Sequence, residues 1–228
     1  MKSLVFDAGP IISLATNNLL WLLEELKKKF DGEFYISKTA KEEVVEHPLA
    51  TKKFKFEALQ ILKIIDDKVL NVVDNRDIDK KTNILFNLAN SIFTAYNRNI
   101  HLLHRAETAG IALCIDSNAD AFVVDERTSR LLIEDYQTLK NLLEKKLHTS
   151  INVNKKKITE FQKIVKGIKV IRSVELVTAA YELGLLKDYI LNIKDPKTTL
   201  LEGVLWGVKL NGCAVSRNEI DEIITLVK

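Results

Sequence analysis

Short apolar runs alternate with segments of helical periodicity along the first 150 residues, and this alternation is the strongest constraint on the fold. Strands are predicted at 2–6, 33–37, 69–73 and 121–124. Helices are predicted at 10–29, 39–47, 52–66, 82–97, 104–115 and 127–147, with a break near Asp135 in the last. Such an order is typical of a parallel sheet covered by helices on both faces. We therefore expect an α/β fold with a central, mostly parallel sheet.

The last part of the chain has a different character. Residues 155–169 carry six lysines and one acid, and they overlap an apolar run at 168–171 that could add a strand. Three helices are predicted after it, at 173–184, 198–211 and 216–227. We expect a domain at 1–150 and a basic, mainly helical extension at 151–228 that packs on it.

Composition favours an ordered globular protein. Of 228 residues, 46% are hydrophobic, and the formal net charge is +3, which permits a polyanionic partner without requiring one. The two cysteines, Cys114 and Cys213, lie in apolar segments and are expected to be buried free thiols. No leader pattern and no run of about 18 apolar residues is present, so a cytoplasmic protein without membrane contact is expected.

Acidic residues follow the predicted strands. Asp7 and Asp125 each come directly after an apolar strand, and the carboxyl ends of parallel strands share one edge of a sheet. Both aspartates could equally be helix N-caps. Glu43 lies just after the second strand, where Glu42 and Glu46 compete with it for a position at this edge.

A fourth acid, Glu107, lies near the start of the helix predicted at 104–115. Carboxylates that converge without basic partners repel one another unless a cation lies among them. Mg²⁺ and Mn²⁺ prefer such oxygen ligands and activate water for attack on phosphorus. These acids are therefore compatible with a hydrolytic metal site, although Glu43 could equally belong to a solvated acidic helix face and Glu107 could face solvent beside the helix dipole.

Four motifs resemble the PIN-domain nucleases, most closely archaeal members with a helical C-terminal extension. They are D-x-G-P-I-I-x-L after the first strand, Y-I-S-x-x-A-x-E-E-V-V, A-E-T-A-G-I-A-L and A-D-A-F-V-V-D-E-R-T-S-R, within residues 2–134. The resemblance implies a three-layer α/β/α fold. It also implies Mg²⁺- or Mn²⁺-dependent hydrolysis of RNA that leaves 5′-phosphate and 3′-hydroxyl ends. By position, the catalytic and metal-binding acids are Asp7, Glu43, Glu107 and Asp125.

The chain departs from the family pattern beside the first acid. A polar residue often follows that acid by one or two positions, but Ala8 and Gly9 stand there. Ser13 could substitute, although a hydroxyl one turn into a core-facing helix is more often structural. This departure bears on the efficiency of cleavage more than on the fold.

Basic residues supply candidate RNA contacts. Arg127 and Arg130 lie three apart near the predicted edge, where Arg suits phosphate, although salt bridges to Glu126 or Glu134 explain them equally well. The lysines at the start of the extension could contact the phosphate backbone or simply form a solvated face. The candidates are Lys155, Lys156, Lys157, Lys163 and Lys166.

Three functions therefore stay open at this point. The first is a metal-dependent endoribonuclease acting on RNA. The second is a PIN-fold scaffold that binds RNA or protein without cleavage, and the third is the toxin of a toxin–antitoxin pair, against which the long extension argues. A homodimer, or a protein partner bound through the C-terminal helices, is compatible with each of them.

Overall fold

A five-stranded parallel sheet forms the centre of the computed structural model, which describes residues 2–227. Its strands are β1 (Ser3–Phe6), β2 (Glu33–Ser37), β3 (Asn71–Val73), β6 (Ala121–Val123) and β8 (Lys169–Ile171), and three short strands form a second sheet described below. The order is β3-β2-β1-β6-β8, with every neighbouring pair parallel. β1 is therefore the central strand, and residues that follow it emerge in the middle of the carboxyl edge.

Helices cover both faces of this sheet. They are α1 (Ala8–Thr16), α2 (Leu22–Phe30), α3 (Lys38–Lys41), α4 (His47–Ala50), α5 (Lys55–Asp66), α6 (Arg76–Ala89), α7 (Arg105–Ser117), α8 (Arg127–Glu134), α9 (Tyr136–Leu147), α10 (Lys155–Ile164), α11 (Ser173–Glu182), α12 (Pro196–Leu210) and α13 (Arg217–Val227). The predicted three-layer α/β/α architecture and the break at Asp135 are confirmed.

The two faces of the sheet carry two separate apolar cores. Alternate residues of a strand point to opposite faces, so Leu4 and Phe6 join one core while Val5 joins the other. The first core is covered by α1, α2 and α5 together with the helices of the extension. The second is covered by α6 to α10. All four residues of β1 are buried, which explains its continuous apolar sequence.

The prediction of one helix over 10–29 was wrong. α1 ends at Thr16, and Asn18 has a left-handed backbone with φ of 56°. The Asn17 side chain donates to the carbonyl of Ser13, so the polar Asn-Asn pair ends the helix by local hydrogen bonding. Residues 22–30 then form α2.

The prediction of a helix over 82–97 was also wrong at its C-terminal end. α6 ends at Ala89, and β4 (Phe93–Ala95) pairs with β5 (Arg98–Asn99) and with β7 (Asn152–Val153). Tyr96 and Asn97 both have positive φ, as a two-residue type I′ hairpin requires. The Tyr-Asn pair is a weak turn signal, so the apolar periodicity extended the predicted helix through the hairpin.

The extension is continuous with the fold in front of it. β8 pairs with β6 as the edge strand of the main sheet, as the apolar run at 168–171 suggested. Arg172 is 8% exposed and pairs with Glu175 and Glu219, so it links the end of β8 to α11 and α13. The division at residue 150 stays a prediction from composition.

Two further expectations concern the cysteines and the membrane. Cys114 and Cys213 are both free and buried. Within residues 2–227, the helices are too short or too polar for any of them to cross a bilayer.

Helix α7 lies close against the sheet, and Gly110 is the residue that permits it. A Cβ at this position would lie 2.5 Å from Cε2 and 2.8 Å from Cζ of Phe122, whose ring is fully buried. The close approach places the N-terminal turn of α7, which carries Glu107, at the edge of the sheet.

Replacing Gly110 by Ala should therefore destabilise the protein. Overpacking of a closed core costs about 1–3 kcal/mol, which exceeds the helix-propensity gain of about 1 kcal/mol. The matched control is Gly203→Ala in α12, where a Cβ meets nothing within 4 Å and only the propensity gain is expected. Urea unfolding of both variants tests this, and equal stabilisation by both would contradict the packing argument.

Candidate active site

Asp7 is the first residue after the central strand and the N-cap of α1. Its backbone N–H donates to the carbonyl of Val123 at 2.9 Å, which holds it against the end of β6. Its Oδ2 accepts from the N–H of Gly9 at 3.3 Å. The other oxygen, Oδ1, is buried and has no hydrogen-bond partner among the described residues. The N-cap interpretation is thus correct for one oxygen only.

Glu43 lies on a π-helical turn, Glu42–Glu46, between α3 and α4. The prediction that this helix ends at His47-Pro48 was wrong, because helical structure continues to Ala50. Pro48 has no N–H, and the His47 N–H bonds five residues back to the carbonyl of Glu42. Such turns often occur at functional sites. The turn places Glu43 on the pocket described below, while Glu46 pairs with Lys41.

Glu107 projects from the first turn of α7 and is 8% exposed. Its Oε2 accepts from the backbone N–H of His104 at 2.6 Å, so the carboxylate caps its own helix. The hydroxyl of Ser129 lies close to this carboxylate, is fully buried, and has no hydrogen-bond partner within residues 2–227. Glu107 is therefore held in a fixed orientation.

Asp125 is 3% exposed and both of its oxygens are engaged. Oδ1 accepts from the N–H of Ser173 at 2.7 Å, and Oδ2 accepts from the Ser173 hydroxyl at 2.8 Å. Ser173 is the first residue of α11, so Asp125 caps a helix of the extension. The thiol of Cys213 also lies against it. This contact differs from the predicted alternative, in which Asp125 caps the helix that follows it.

These four acids line one open pocket of about 400 Å³ at the carboxyl edge of the sheet. The remaining lining residues are Ala8, Gly9, Ile12, His104, Ala106, Glu126, Asn211 and Gly212. The structure therefore brings together Asp7, Glu43, Glu107 and Asp125, which are up to 118 positions apart along the chain (125 minus 7). Their catalytic and metal-binding roles stay a prediction.

Loss of hydration raises the pKa values of all four carboxyls. Burial raises the pKa of Asp7 to about 7, and the charges of Glu107 and Glu43 add to the effect. Loss of hydration is also the main reason why the pKa values of Glu107, Asp125 and Glu43 are raised, although the Glu43 side chain stays exposed at the rim of the pocket. A cation in the pocket would oppose both effects.

The donor set fits a hard divalent cation. It consists of carboxylate oxygens, and the buried Oδ1 of Asp7 lacks the partner that a buried charge needs. Within residues 2–227, no three acidic, His or Cys side chains lie near enough together to form a finished metal site. Glu43 is exposed and can turn toward Asp7, whereas Glu107 and Asp125 are held by hydrogen bonds. Asp7 and Glu43 are therefore the two acids whose carboxylates could best adjust to a bound ion.

Sequence reasoning gave too small a role to Glu126. The sequence leaves two roles open for it, an outer-shell ligand or, as favoured, an acid of the first helical turn, and its Oε2 does accept from the N–H of Ser129 at 2.7 Å. Yet Glu126 also lines the pocket, and its charge raises the pKa of Glu107. The alternation of side chains at a strand end could have indicated that Asp125 and Glu126 face different ways. By contrast, nothing in the sequence pattern indicated Asn211 or Gly212.

Ser13 does not replace the polar residue missing beside Asp7. It is fully buried and its hydroxyl donates to the carbonyl of Val208 at 3.4 Å, so it joins α1 to α12. The structural interpretation of this residue is therefore correct.

Among the described residues, the basic candidates do not line the pocket of the acids. Arg127 is exposed at the start of α8, and Arg130 pairs with Glu134 at 3.8 Å. The lysines belong to α10 and the turn after it, and Lys163 and Lys166 line a separate groove of about 280 Å³ with Tyr136. Lys155, Lys156 and Lys157 form the first turn of α10. Cations there oppose the helix dipole, so these lysines do not stabilise the helix.

Apolar side chains are exposed on the extension between residues 183 and 193. They are Leu183, Tyr189, Ile190, Leu191 and Ile193, with exposed fractions from 39% to 63%. The predicted protein partner or homodimer would find its apolar surface here, and either partner stays a prediction.

Comparison with known proteins gives one match. A family model described as a PIN domain matches residues 3–139, which include all four predicted acids and Glu126. No curated protein and no solved structure matches the chain.

The raised pKa of Asp7 predicts a pH-dependent effect of Asp7→Asn without metal. The folded protein keeps a proton that the unfolded chain releases between about pH 4 and 7, so the free energy of unfolding of the wild type falls across this window. Asn does not titrate and preserves the cap to Gly9. As the pH rises through this window, the free energy of unfolding of the variant should therefore increase by about 2–4 kcal/mol relative to that of the wild type. Urea unfolding in EDTA measures the difference, and a constant difference would show that burial does not perturb Asp7.

Proposed function

Because this chain belongs to the PIN-domain family, whose members have a nuclease fold, we propose that it is a Mg²⁺- or Mn²⁺-dependent endoribonuclease. The observation that carries the proposal is the unpartnered, buried Oδ1 of Asp7 in a pocket lined by further carboxylates. A buried carboxylate without a hydrogen-bond donor favours a cation as its partner.

The surroundings of three acids support a role for each of them in binding an ion. Asp7 offers Oδ1 from the end of the central strand, and Glu43 supplies an exposed carboxylate that can adapt to an ion and its waters. Glu107, fixed by the N–H of His104, directs its carboxylate into the pocket. A bound Mg²⁺ or Mn²⁺ would activate water and neutralise charge on the phosphoryl oxygens and the leaving 3′ oxygen.

His104 is the basic side chain on the lining of the pocket, as far as the described residues show. It opposes the rise in the pKa values of Glu43 and Glu107, but loss of hydration still raises both pKa values above their ordinary range. The residue also orients Glu107 through its backbone N–H. It therefore supports Glu107 and lines the pocket that a phosphate would enter.

A non-cleaving scaffold is the second candidate function. The observation that favours it is that Glu107 and Asp125 are held by hydrogen bonds and that the described side chains do not form a finished metal cluster. Such a protein would retain RNA in the presence of EDTA and would not cut it.

Cleavage of a mixed single-stranded RNA pool should require Mn²⁺ or Mg²⁺ and the acids of the pocket. We expect Asp7→Asn to lower the rate about 100-fold or more, because it removes the charge that the ion needs. EDTA should abolish the cuts. Cutting by Asp7→Asn at the wild-type rate would contradict the proposal, and RNA retention without cutting would favour the scaffold.

The π-helical turn provides a matched pair of variants for the same assay. Glu43→Gln should lower cleavage about 10–100-fold, whereas Glu46→Gln, on the same turn but paired with Lys41, should leave it unchanged. Equal losses for both variants would indicate damage to the turn instead of loss of a ligand. Circular dichroism of each variant provides the fold control.

The first turn of α10 is the proposed RNA-backbone contact, because three of its lysines are placed against the helix dipole. Changing Lys155, Lys156 and Lys157 together to Gln should weaken RNA binding. If all three lysines contact phosphates, the slope of log affinity against log salt should fall by about 2. Filter binding in EDTA at several salt concentrations measures it.

The control for this experiment removes the same charge from another surface. Gln at Lys28, Lys29 and Lys63 changes the net charge equally, and all three side chains are exposed. An equal effect of both triple variants would contradict a local contact at α10.

A further inference from the structure

Asp125 joins the pocket to the C-terminal extension. Its carboxylate accepts two hydrogen bonds from Ser173, at 2.7 Å from the backbone N–H and at 2.8 Å from the hydroxyl. Ser173 is fully buried at the N-terminus of α11, where backbone N–H groups favour a carboxylate. The two residues are 48 positions apart and belong to different parts of the chain.

A second segment of the extension meets the same residue. The carbonyl of Asp125 accepts from the N–H of Ala214 at 3.0 Å, and Arg172 donates to the carbonyl of Ala214 at 3.0 Å. Just before this contact, Asn211 and Gly212 form part of the pocket wall. The extension therefore contributes both to the lining of the pocket and to the support of the loop that follows β6.

Asp125 and Glu126 divide two tasks between them. Both residues line the pocket, but both oxygens of Asp125 accept hydrogen bonds from Ser173, whereas the charge of Glu126 acts on Glu107. A carboxylate oxygen can accept a hydrogen bond and contact an ion at the same time. The bonds from Ser173 nevertheless fix both oxygens of Asp125 against α11, and losing them would leave the buried N–H of Ser173 without a partner.

We infer that Asp125 is a positioning residue, which ties Ser173 of the extension to the loop carrying Glu126, and that the ion is held by the other acids. The inference deepens the proposed metal site and rests on it. All the acids lie within the region matched by the family model, residues 3–139. The inference means that the extension, which lies outside that region, is nevertheless a structural part of the site.

The test compares hydrogen bonding with charge at position 125, using Mn²⁺ alone as the probe. Asp125→Asn keeps an acceptor for the Ser173 N–H but removes the charge, whereas Asp125→Ala removes both. We expect Asp125→Ala to weaken Mn²⁺ binding about 10–100-fold and Asp125→Asn to stay within about threefold of the wild type. Titration calorimetry measures the affinity, and the unfolding free energy of each variant is measured in parallel.

Ser173 provides the same test from the other partner. Ser173→Ala should weaken Mn²⁺ binding less than Asp125→Ala, and it should cause no further loss when added to Asp125→Ala. The matched control is Thr178→Ala, which removes a hydroxyl from the same helix that bonds only its own helix, at the carbonyl of Val174. If Asp125→Ala does not fold, Ser173→Ala and Asp125→Asn still carry the test.

The possible outcomes separate this inference from the proposed function. Equal loss of Mn²⁺ affinity in Asp125→Asn, Asp125→Ala and Asp7→Asn would show a direct ligand and overturn the inference. Wild-type affinity in both Asp125→Ala and Ser173→Ala would overturn it as well. The expected order of affinities together with no RNA cleavage by the wild type would support the inference and overturn only the ribonuclease.

Discussion

The burial of the Asp7 carboxylate at the end of the central strand is the constraint on which the rest of the site depends. β1 is buried on both faces and has neighbours on both sides, so the chain leaves it in the middle of the carboxyl edge. A charge placed there loses its hydration, and only one of its oxygens regains a protein donor. The other acids make the position less favourable still, which is why the pKa of Asp7 rises so far. Such a buried carboxylate lowers the stability of the fold, and unfavourable residues of this kind are typical of functional sites.

The extension takes part in this arrangement through its packing. Its helices lie on the same apolar core as α1, and its strand β8 continues the sheet beside β6. Arg172 and Ser173 follow β8 directly, so strand pairing alone brings them to the carboxyl edge beside Asp125. The family match ends at residue 139, but the structural unit does not. Removing the extension would expose that core and leave Asp125 without its donors, so loss of activity on truncation could not be assigned to RNA contact alone.

Local patterns predicted the elements and the edge at which the acids meet, because buried strands and amphipathic helices have distinct periods. Asp7 and Asp125 could be placed together since both follow parallel strands. Glu43 lines the pocket and Glu46 does not, and this difference depends on a π-helical turn, which changes the side-chain register and has no simple sequence signal. The hairpin at Tyr96 and Asn97 was missed because its turn lacks glycine, and tertiary pairing with Asn152–Val153 supports it. The Asp125–Ser173 contact spans 48 residues, and no local rule reaches that far.

The hydrogen bonds of the four acids also suggest an order of roles. Glu107 and Asp125 are oriented by donors that do not depend on an ion, so their carboxylates are preorganised. Asp7 has one oxygen in a cap and one without a partner, and Glu43 is exposed on a turn. A cation would therefore stabilise Asp7 most, because it relieves a buried charge, and Asp125 least, because both oxygens of Asp125 already accept hydrogen bonds. The carboxylate of Glu43 would then approach the ion from the solvent side, because an exposed side chain loses the fewest packing contacts when it moves. In this order a bound ion would complete a site whose rigid half, Glu107 and Asp125, is already fixed by helix capping.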